Sequence, residues 1–300
     1  MTQLTSMITG TFEQGFLFAF LALGVLITFR FFRFPDLTAE GSYPLGGAVA
    51  GALLVSGVSP LLATVAAIIA GAAAGVVTAL VHTRLRINNI IAGIIVMTAL
   101  YSVNLRVMGR ANISLLTTPT ITGDAVALLN DLGLRLTEDY STTIGVTLLL
   151  LAIIAFLLTR FMHTDLGLAV RATGENETMI RALGVDTART KLIGLAISNA
   201  FIALSGALVA QDHGFSDIGM GTGILVTGAA AVMIGEAIFG DGSIERWVAA
   251  TITGVLIYEF LVIAALRIGL APTDLKLVTA ALLLASLAVP RFRMQRASAR

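Results

Sequence analysis

Long apolar runs recur along this chain, and they constrain its fold more than any other feature of the sequence. A helix rises 1.5 Å per residue, so about 20 residues cross the roughly 30 Å hydrocarbon core of a membrane. Nine runs approach or reach that length, at 9–29, 43–58, 60–82, 89–108, 143–161, 190–210, 222–240, 247–266 and 275–290. The pattern predicts an all-α integral membrane protein with about nine transmembrane segments, of which the second and the last are short.

The composition agrees with a chain that faces lipid. Hydrophobic residues make up 57% of the sequence and charged residues only 12%. A soluble domain is usually about 45–50% apolar and about 25% charged, so the charge needed to cover a water-facing surface is roughly halved here. The net charge of +1 gives no electrostatic attraction to nucleic acid. We therefore expect the lipid bilayer, and no nucleic acid, as a partner.

The distribution of lysine and arginine predicts the orientation. With nine spans and an external N-terminus, 14 of the 19 basic residues fall in cytoplasmic segments and 5 in external ones. Cytoplasmic loops of membrane proteins carry an excess of these residues. The sequence therefore predicts a multi-pass protein with its N-terminus outside and its C-terminus inside.

Two stretches break the apolar pattern. Residues 34–44 carry two prolines, two acids and a glycine, and residues 235–243 carry three glycines. Irregular backbone is tolerated at membrane depth only where protein or a water-filled cavity satisfies its polar groups. We expect the second helix to begin in a broken stretch, and residues 235–243 to form a tight turn in which Glu236 acts as a structural cap.

Pairs of glycines four residues apart predict close helix packing. They occur at Gly47 and Gly51 and again at Gly71 and Gly75. In an apolar chain this spacing lets two helix backbones approach closely. The run 219–223 has the same interpretation, or it forms a flexible external hinge.

Two hydrophilic loops are longer than ordinary connections. The external loop, 109–142, contains four acids and a predicted short helix at 125–132. The cytoplasmic loop, 162–189, contains a predicted two-turn helix at 175–183, with acids in its first turn and Gly184 as its stop.

The apolar edge of the helix at 175–183 predicts a docking surface. Met179, Ile180 and Leu183 are spaced to share one side of a helix. A helix of this length is marginal alone in water, so we expect it to bind another protein. The alternative is a solvated connector.

Several kinds of catalytic site cannot be built from these residues. The chain has two lysines, Lys191 and Lys276, and neither completes a phosphate-binding P-loop motif. The three histidines, His82, His163 and His213, are not at metal-ligand spacing, and there is no cysteine. We expect no nucleotide site, metal site or cofactor in this chain.

Polar residues inside the apolar runs are candidates for function because they are costly in lipid. Glu13 and Glu259 lie in the first and eighth runs, and Asn104 and Asn199 in the fourth and sixth. Interhelical hydrogen bonds are the favoured interpretation for the two asparagines. For Glu259 a structural and a functional role remain equally open.

The cytoplasmic loop and the span after it resemble the permeases of ABC importers of the branched-chain amino acid and ribose type. The matching residues are Gly167, Arg171, Ala172, 174–176, Ala182, Gly184, Val185, Lys191, Ser198 and 203–207. Two further stretches are similar, at 36–46 after the first span and at 235–243 before the penultimate one. The sequence most resembles amino-acid-type permeases that accompany a lipoprotein binding protein, including those assigned to aromatic amino acids. Glu236 stands where sugar permeases have small residues, which argues against a ribose-like substrate.

The resemblance implies a function for the whole chain, 1–300, as one transmembrane permease domain in a bacterial cytoplasmic (inner) membrane. Such a permease translocates a small solute, here an amino acid or a related organic solute. An external binding protein delivers the solute, and a separate ATPase subunit binds ATP and Mg²⁺. A second copy of the permease completes a homodimer, and the chain itself is not an enzyme.

The resemblance also implies which residues act. Loop 162–189 becomes the coupling loop, in which Met179, Ile180, Arg181 and Leu183 contact the ATPase, Arg171 and Glu175 fix the loop, and Gly184 ends its helix. The translocation path would follow the dimer axis, lined by the broken segments near 35–46 and 214–224 and by the fifth and eighth spans. Its candidate residues are Asp36, Glu40 and Glu259.

Three other functions are alternatives to the importer permease. An ion-coupled secondary transporter would use Glu13 and Glu259 to carry protons or bind sodium, but it leaves loop 162–189 unexplained and no inverted repeat is evident. A membrane-embedded enzyme lacks a carboxylate pair at catalytic spacing. An ABC exporter would usually have fewer spans and a fused ATPase.

Overall fold

Helices account for nearly all the regular structure in the computed structural model, which describes residues 2–131, 140–240, 242–284 and 286. The helices are α1 (Thr2–Leu26), α2 (Ala39–Val55), α3 (Pro60–Leu85), α4 (Asn89–Met108), α5 (Ile121–Asp131), α6 (Tyr140–Met162), α7 (Asp165–Glu175), α8 (Glu177–Ala182), α9 (Thr187–His213), α10 (Ile224–Phe239), α11 (Ile244–Arg267) and α12 (Leu275–Leu284). Residues 285 and 287–290 of the last predicted span lie outside the described residues, as do the arginines after it.

Seven of the helices are long and apolar enough to cross a membrane. They are α1, α3, α4, α6, α9, α10 and α11, where α1 is extended by a π-helix at Ile27–Phe31 and α10 is preceded by a 3₁₀ turn at Ile218–Gly221. Each falls on a predicted run. The second and ninth runs are the shorter helices α2 and α12. The chain is therefore a multi-pass helical membrane protein.

Close packing around α9 confirms the role predicted for Gly71 and Gly75. At Gly47 and Gly51, the atoms nearest to an added Cβ belong instead to the side chains of Ser216 and Ile113. Gly71 and Gly75 of α3 lie against the backbone of α9 at Asn199 and Leu195. A Cβ atom at either glycine would overlap a backbone carbonyl of α9. Gly46 of α2 is in the same position, facing the carbonyl of Ala203. Helices α2 and α3 thus approach α9 at distances that only glycine permits.

Contacts between helix ends sort them into two groups. One end carries loop 162–189 and is called the loop end. There, Arg33 just after α1 pairs with Glu175 at 2.8 Å, and Arg30 pairs with Glu236 of α10 at 3.1 Å. At the opposite end, called the sheet end because Asn112–Ser114 pairs there with Phe215–Asp217, the first half of α1 meets the end of α9. Gln14 Nε2 lies 3.4 Å from Asp212 Oδ2. Helices α7 and α8 belong to the loop end, and α5 belongs to the sheet end.

A small sheet at the sheet end departs from the all-α prediction. Strand β1 (Asn112–Ser114) pairs antiparallel with β2 (Phe215–Asp217), with Ile113 opposite Ser216. Three-residue strands carry too little alternation to be read from a sequence. Helix α5 begins at Ile121, four residues before the predicted 125–132, and Leu132 lies outside the described residues.

The broken stretch between α1 and α2 is present, but α2 begins at Ala39 rather than at residue 43. Pro44 therefore lies inside the helix. Proline has no N–H, so the carbonyl of Glu40 loses its usual helical partner. Gly221 packs directly against that carbonyl, where a Cβ atom would overlap it. A proline inside a helix is unusual, which is why the prolines predicted a later start for α2.

The turn at 235–243 gives Glu236 a different role from the predicted cap. Helix α10 ends at Phe239, followed by Gly240 with φ of +69°. Ser243 caps α11, its hydroxyl accepting from the N–H of Arg246 at 3.4 Å. The carboxylate of Glu236 instead pairs with Arg30 at 3.1 Å and ties α10 to the end of α1. Asp241 lies outside the described residues.

Candidate functional site

The loop at 162–189 contains two helices, not the single predicted one. Thr164 caps α7 by accepting from the N–H of Gly167 at 3.2 Å. The side chain of Asn176 then accepts from the N–H of Met179 at 2.9 Å and begins α8. Because an N-cap residue has extended backbone, the chain breaks at Asn176, and the predicted helix at 175–183 was wrong at its start. Gly184, with φ of +87°, follows its end as predicted.

The apolar edge of α8 is smaller than predicted. Met179 is 52% exposed and Leu183 is 71% exposed, so both face away from the bundle. Ile180 is only 7% exposed and faces inward, and its predicted place on the exposed edge is wrong. Two exposed leucines of α7, Leu166 and Leu168, add apolar surface to the same loop.

An ion-pair network fixes α8 to the bundle. The carboxylate of Glu177 accepts from Lys191 Nζ at 2.8 Å, from Arg181 at 2.6 Å and from the Thr187 hydroxyl at 3.2 Å. Partial burial favours protonation of Glu177, but the hydrogen bond and charge of Lys191, together with Thr187 and Arg181, outweigh it and hold the pKa of Glu177 below its ordinary value.

The network continues into α3 through His82. Nδ1 of His82 lies 2.7 Å from the carbonyl oxygen of Ile87, which can only accept, so Nδ1 carries the proton. Nε2 then accepts from Lys191 Nζ at 3.0 Å. Helices α3, α8 and α9 are therefore joined by polar contacts at the loop end. Nothing in the sequence alone pairs these distant residues.

The two residues expected to fix the loop behave differently. Glu175 forms an ion pair with Arg33 at 2.8 Å, which connects α7 to the end of α1. Gly174 lies against the backbone of Phe31 and Phe32, so α7 packs closely there. The Nε atom of Arg171 is buried and has no hydrogen-bond partner among the described residues.

A buried polar cluster lies where the broken stretch meets α9. The carboxylate of Asp36 accepts from Asn199 Nδ2 at 2.7 Å and from the N–H of Thr38 at 2.9 Å. Asn199 Oδ1 accepts from the hydroxyl of Ser42 at 2.7 Å. Asp36 is 1% exposed, so it is enclosed by these partners. The interhelical hydrogen bonds predicted for Asn199 are confirmed.

A cavity of about 290 Å³ lies beside Glu40. It is bounded by α2, α4 and the 3₁₀ turn, and we refer to it as the Glu40 cavity; its lining residues are Glu40, Gly41, Pro44, Met97, Thr98, Tyr101, Asn104, Ile218, Gly219 and Thr222. The predicted segments 35–46 and 214–224 thus meet at one cavity. Its third wall is the fourth span, α4.

Hydrogen bonds place Glu40 and Asn104 at this cavity. Glu40 Oε1 accepts from the N–H of Gly223 at 3.2 Å. Asn104 Nδ2 donates to the carbonyl of Gly41 at 3.2 Å, which confirms the interhelical contact predicted for this asparagine. Asn104 Oδ1 is buried without a hydrogen-bond partner among the described residues.

The other candidate carboxylates, Glu259 and Glu13, do not line this cavity. Glu259 is 7% exposed on α11, within electrostatic range of Tyr43. Glu13 lies on α1 within electrostatic range of Asp212 at the sheet end. In the described part of the chain, no group of three or more metal-binding side chains forms a metal site.

Membrane-spanning helices around buried polar residues, with an ordered loop at one end, define the class of protein as a transport permease. The family described as branched-chain amino acid transport system / permease component matches residues 7–287. The chain belongs to this family and is an ABC-type permease. The resemblance expected from the loop residues is confirmed.

Individual relatives agree with the family. A tyrosine transport system permease protein of Clostridioides difficile (strain R20291) is 38% identical over 281 residues, which are 94% of this chain and 90% of the relative. The ribose import permease protein of Escherichia coli (strain K12) is 28% identical over 230 residues, 75% of this chain and 67% of the relative. Permeases of this family are subunits of ABC importers, which work with an ATPase and a binding protein.

A solved structure shares the fold. PsaBC from Streptococcus pneumoniae, in complex with a Fab, aligns with a TM-score of 0.52 and 15% sequence identity. The alignment covers 93% of this chain and 88% of that chain. At this identity the similarity concerns the arrangement of helices alone.

Proposed function

We propose that the chain is the permease subunit of an ABC importer for an amino acid or a related small organic solute. A separate ATPase subunit hydrolyses ATP with Mg²⁺, and an external binding protein delivers the solute. The amino-acid class is supported by the relative assigned to tyrosine, which matches 94% of this chain, while the ribose permease matches 75%.

The α7–α8 loop carries this proposal. Its exposed residues Met179 and Leu183 form an apolar surface that nothing in this chain covers in the described residues. The ion pairs of Glu177 and Glu175 hold that surface against α9 and α1. A partner that moves α8 therefore pulls on two helices of the bundle. Such a connection is what a permease without its own energy source requires.

The same loop supports the proposed orientation. The loop end contains Arg30, Arg33 and Lys191 together with the rest of loop 162–189. Basic residues are enriched on the cytoplasmic side. The loop end is then cytoplasmic and the sheet end external. The chain crosses a bacterial inner membrane nine times, from an external N-terminus to an internal C-terminus. A second copy of the chain completes a homodimer around the translocation path.

Substitution of the exposed edge tests the coupling. We expect Met179→Asp and Leu183→Asp to abolish ATP-driven uptake because a carboxylate cannot be buried in an apolar interface without a partner. The measurement is uptake by proteoliposomes that contain the permease, its ATPase and its binding protein. Met179→Leu and Leu183→Met are the matched controls, since they change the same positions but keep the surface apolar. Normal coupled uptake in both loop variants would contradict the assignment.

A further inference from the structure

A cavity of about 710 Å³ lies at the loop end, between the turn that joins α3 to α4, helix α8 and the start of α9. We refer to it as the basic pocket, because its lining side chains include the cations Arg86, Arg181 and Lys191. Glu177 is the one carboxylate among the described residues that line it, so three cations and one anion give a net charge of +2. His82 adds no charge, because its Nε2 accepts from Lys191. The pocket therefore attracts an anion.

Hydrogen bonds bring the walls of the basic pocket together. The ring of His82 lies between the carbonyl oxygen of Ile87, 2.7 Å from Nδ1, and Lys191 Nζ, 3.0 Å from Nε2. Arg86 directly precedes Ile87, so the turn that carries it is one imidazole ring away from Lys191. On its other side, Lys191 Nζ donates to Glu177 of α8 at 2.8 Å. The α3–α4 turn, α8 and α9 thus meet at one cavity.

Arg86 is available to a ligand. Its side chain is exposed and has no hydrogen bond or ion pair within the described residues. Its backbone has φ of +55°, in the left-handed region that residues other than glycine rarely adopt. Such conformations are costly and cluster at ligand-binding sites. The turn therefore holds an unpaired cation at the pocket in spite of a backbone cost.

Arg181 also keeps donors for a ligand. Its contacts to Glu177 and Thr187 both involve Nη2. A guanidinium has five N–H donors, so those on Nε and Nη1 remain for other acceptors. Its side chain is mostly exposed. Planar guanidinium groups donate in pairs to the oxygens of phosphate, so two arginines at one pocket favour a phosphate group.

Exposed apolar residues beside the basic pocket indicate the source of the phosphate. Leu85, directly before Arg86, is exposed, and so are Ile90 and Ile91 in the first turn of α4. Helices α3 and α4 are spanning helices, so such side chains at their ends lie against acyl chains. Basic pockets between spanning helices at the cytoplasmic side bind acidic lipid headgroups. A soluble anion would gain nothing from this apolar border.

We propose that the basic pocket binds the phosphodiester headgroup of an anionic lipid of the cytoplasmic leaflet through Arg86 and Arg181. This inference rests on the proposed function, whose orientation makes the loop end cytoplasmic. The phosphate oxygens accept from the two guanidinium groups, and the acyl chains lie along Leu85 and Ile91. The headgroup then contacts both the α3–α4 turn and α8, so it ties the coupling loop to the spanning helices.

Native mass spectrometry of the full chain in detergent tests the site, because it counts the lipids that stay bound. The probes are phosphatidylglycerol, which is anionic, phosphatidylcholine, whose phosphodiester is balanced by a cation, and inorganic phosphate. We expect phosphatidylglycerol to bind about tenfold more tightly than phosphatidylcholine. Equal affinity for the two lipids would overturn the proposal. Displacement of phosphatidylglycerol by millimolar phosphate would assign the pocket to a free anion and overturn the lipid as its source.

Variants then locate the binding. Arg86→Gln and Arg181→Gln should each weaken phosphatidylglycerol binding about tenfold, since each removes a charge-assisted hydrogen bond. Arg86→Lys keeps the charge and should still prefer phosphatidylglycerol over phosphatidylcholine. Arg84→Gln is the matched control, because it removes the same charge from a side chain that does not line the pocket, and it should bind as the unmodified protein does. Unchanged binding in Arg86→Gln would overturn the proposal, and Arg86→Lys guards against a loss caused by misfolding.

An acidic side chain of the ATPase is the competing occupant, since α8 borders the basic pocket. Capture of the ATPase by the tagged permease separates the two. We expect Arg86→Gln to weaken phosphatidylglycerol binding and still capture the ATPase. Loss of the ATPase from Arg86→Gln, with phosphatidylglycerol binding intact, would give the pocket to the ATPase and overturn the proposal.

The assembled importer separates this inference from the proposed function. ATP-driven uptake by a protein that shows no preference for phosphatidylglycerol would remove the lipid site and leave the importer. A preference for phosphatidylglycerol that depends on Arg86, in a protein that shows no ATP-driven uptake with any ATPase partner, would support the lipid site and remove the importer.

Discussion

The loop end and the middle of the bundle handle polar residues in opposite ways. At the loop end, Glu177 and Glu175 form ion pairs that remain partly exposed to water. In the middle, Asp36 is fully enclosed by Asn199 and Thr38. Exposed pairs contribute little to stability, whereas a buried carboxylate depends on every partner it has. The comparison teaches that the contacts which connect the loop to the bundle cost less to break than the polar contacts inside the bundle.

The largest effect should come from glycine substitution in the middle of the bundle. Gly46→Val would place side-chain atoms on the carbonyl of Ala203, and two packed helix backbones cannot separate locally. We expect a loss of more than about 3 kcal/mol and almost no folded protein. The measurement is the yield of monodisperse protein after detergent extraction. Gly145→Ala on α6, where a Cβ meets open space, is the control. A normal yield of Gly46→Val would mean that α2 and α9 are not tightly packed.

Removal of a partner from Asp36 should have an intermediate effect. Asn199→Leu deletes the hydrogen bond at 2.7 Å to the Asp36 carboxylate and leaves it buried. Loss of a hydrogen bond to a charged group costs about 1.5–3 kcal/mol, which corresponds to about 5 °C in melting temperature for a chain of this size. Fluorescence of Trp247, the one tryptophan in the sequence, reports the melting. The control is Thr98→Val, which removes a hydroxyl that donates to the carbonyl of Ile94 in its own helix. Equal melting temperatures for both variants would show that Asp36 does not need Asn199.

The smallest effect should come from the loop network and should depend on pH. The pKa of Glu177 is lowered in the folded protein, so its stabilisation is complete above the unfolded pKa, about 4.3, and is lost as the pH falls through the folded pKa. Glu177→Gln should cost about 1 kcal/mol or less, because the carboxylate is partly exposed. Amide hydrogen exchange over α8 measures this local opening.

Hydrogen exchange of Glu177→Gln and of the unmodified protein, compared across pH, sharpens the test of the Glu177 ion pairs. Near pH 7, the peptide that covers α8 should exchange faster in Glu177→Gln than in the unmodified protein. Once the pH falls below the lowered folded pKa of Glu177, the two should converge, because the native carboxylate is then protonated. A difference that persists unchanged at low pH would show that the ion pairs of Glu177 do not hold α8.

Hydrophobic run length predicted the positions of the spanning helices, because burial in lipid depends on each segment alone. The glycine spacing predicted the approach of α3 to α9 for a similar reason. The start of α2 was missed because proline usually marks a helix start or end, whereas Pro44 lies inside α2. The inward position of Ile180 was missed because spacing alone does not say which side of α8 packs on the bundle. Met179 and Leu183, four residues apart, share the exposed side, whereas Ile180 lies about 100° round the helix from Met179.

The candidate site was less accessible to prediction from the sequence. Glu40 was identified as an acid in a broken membrane segment, and it lines a cavity. Asp36 was identified by the same rule, but its partners enclose it. Met97 and Tyr101 of α4 carry no signal in the sequence, since an apolar or aromatic residue in a span usually faces lipid or core. Long-range pairs such as His82 with Lys191 follow from the packing of α3 against α9 and could not be read from spacing.

The central claim is that the α7–α8 loop binds a separate ATPase and couples it to the permease. The most direct measurement is purification of the tagged permease from native membranes, with and without Leu183→Asp, followed by identification of the bound proteins by mass spectrometry. We predict that the unmodified permease brings down an ATPase subunit and an external binding protein, and that Leu183→Asp loses the ATPase but keeps the binding protein. Recovery of neither protein, together with uptake that survives ATP depletion and collapses when the proton or sodium gradient is removed, would contradict the account.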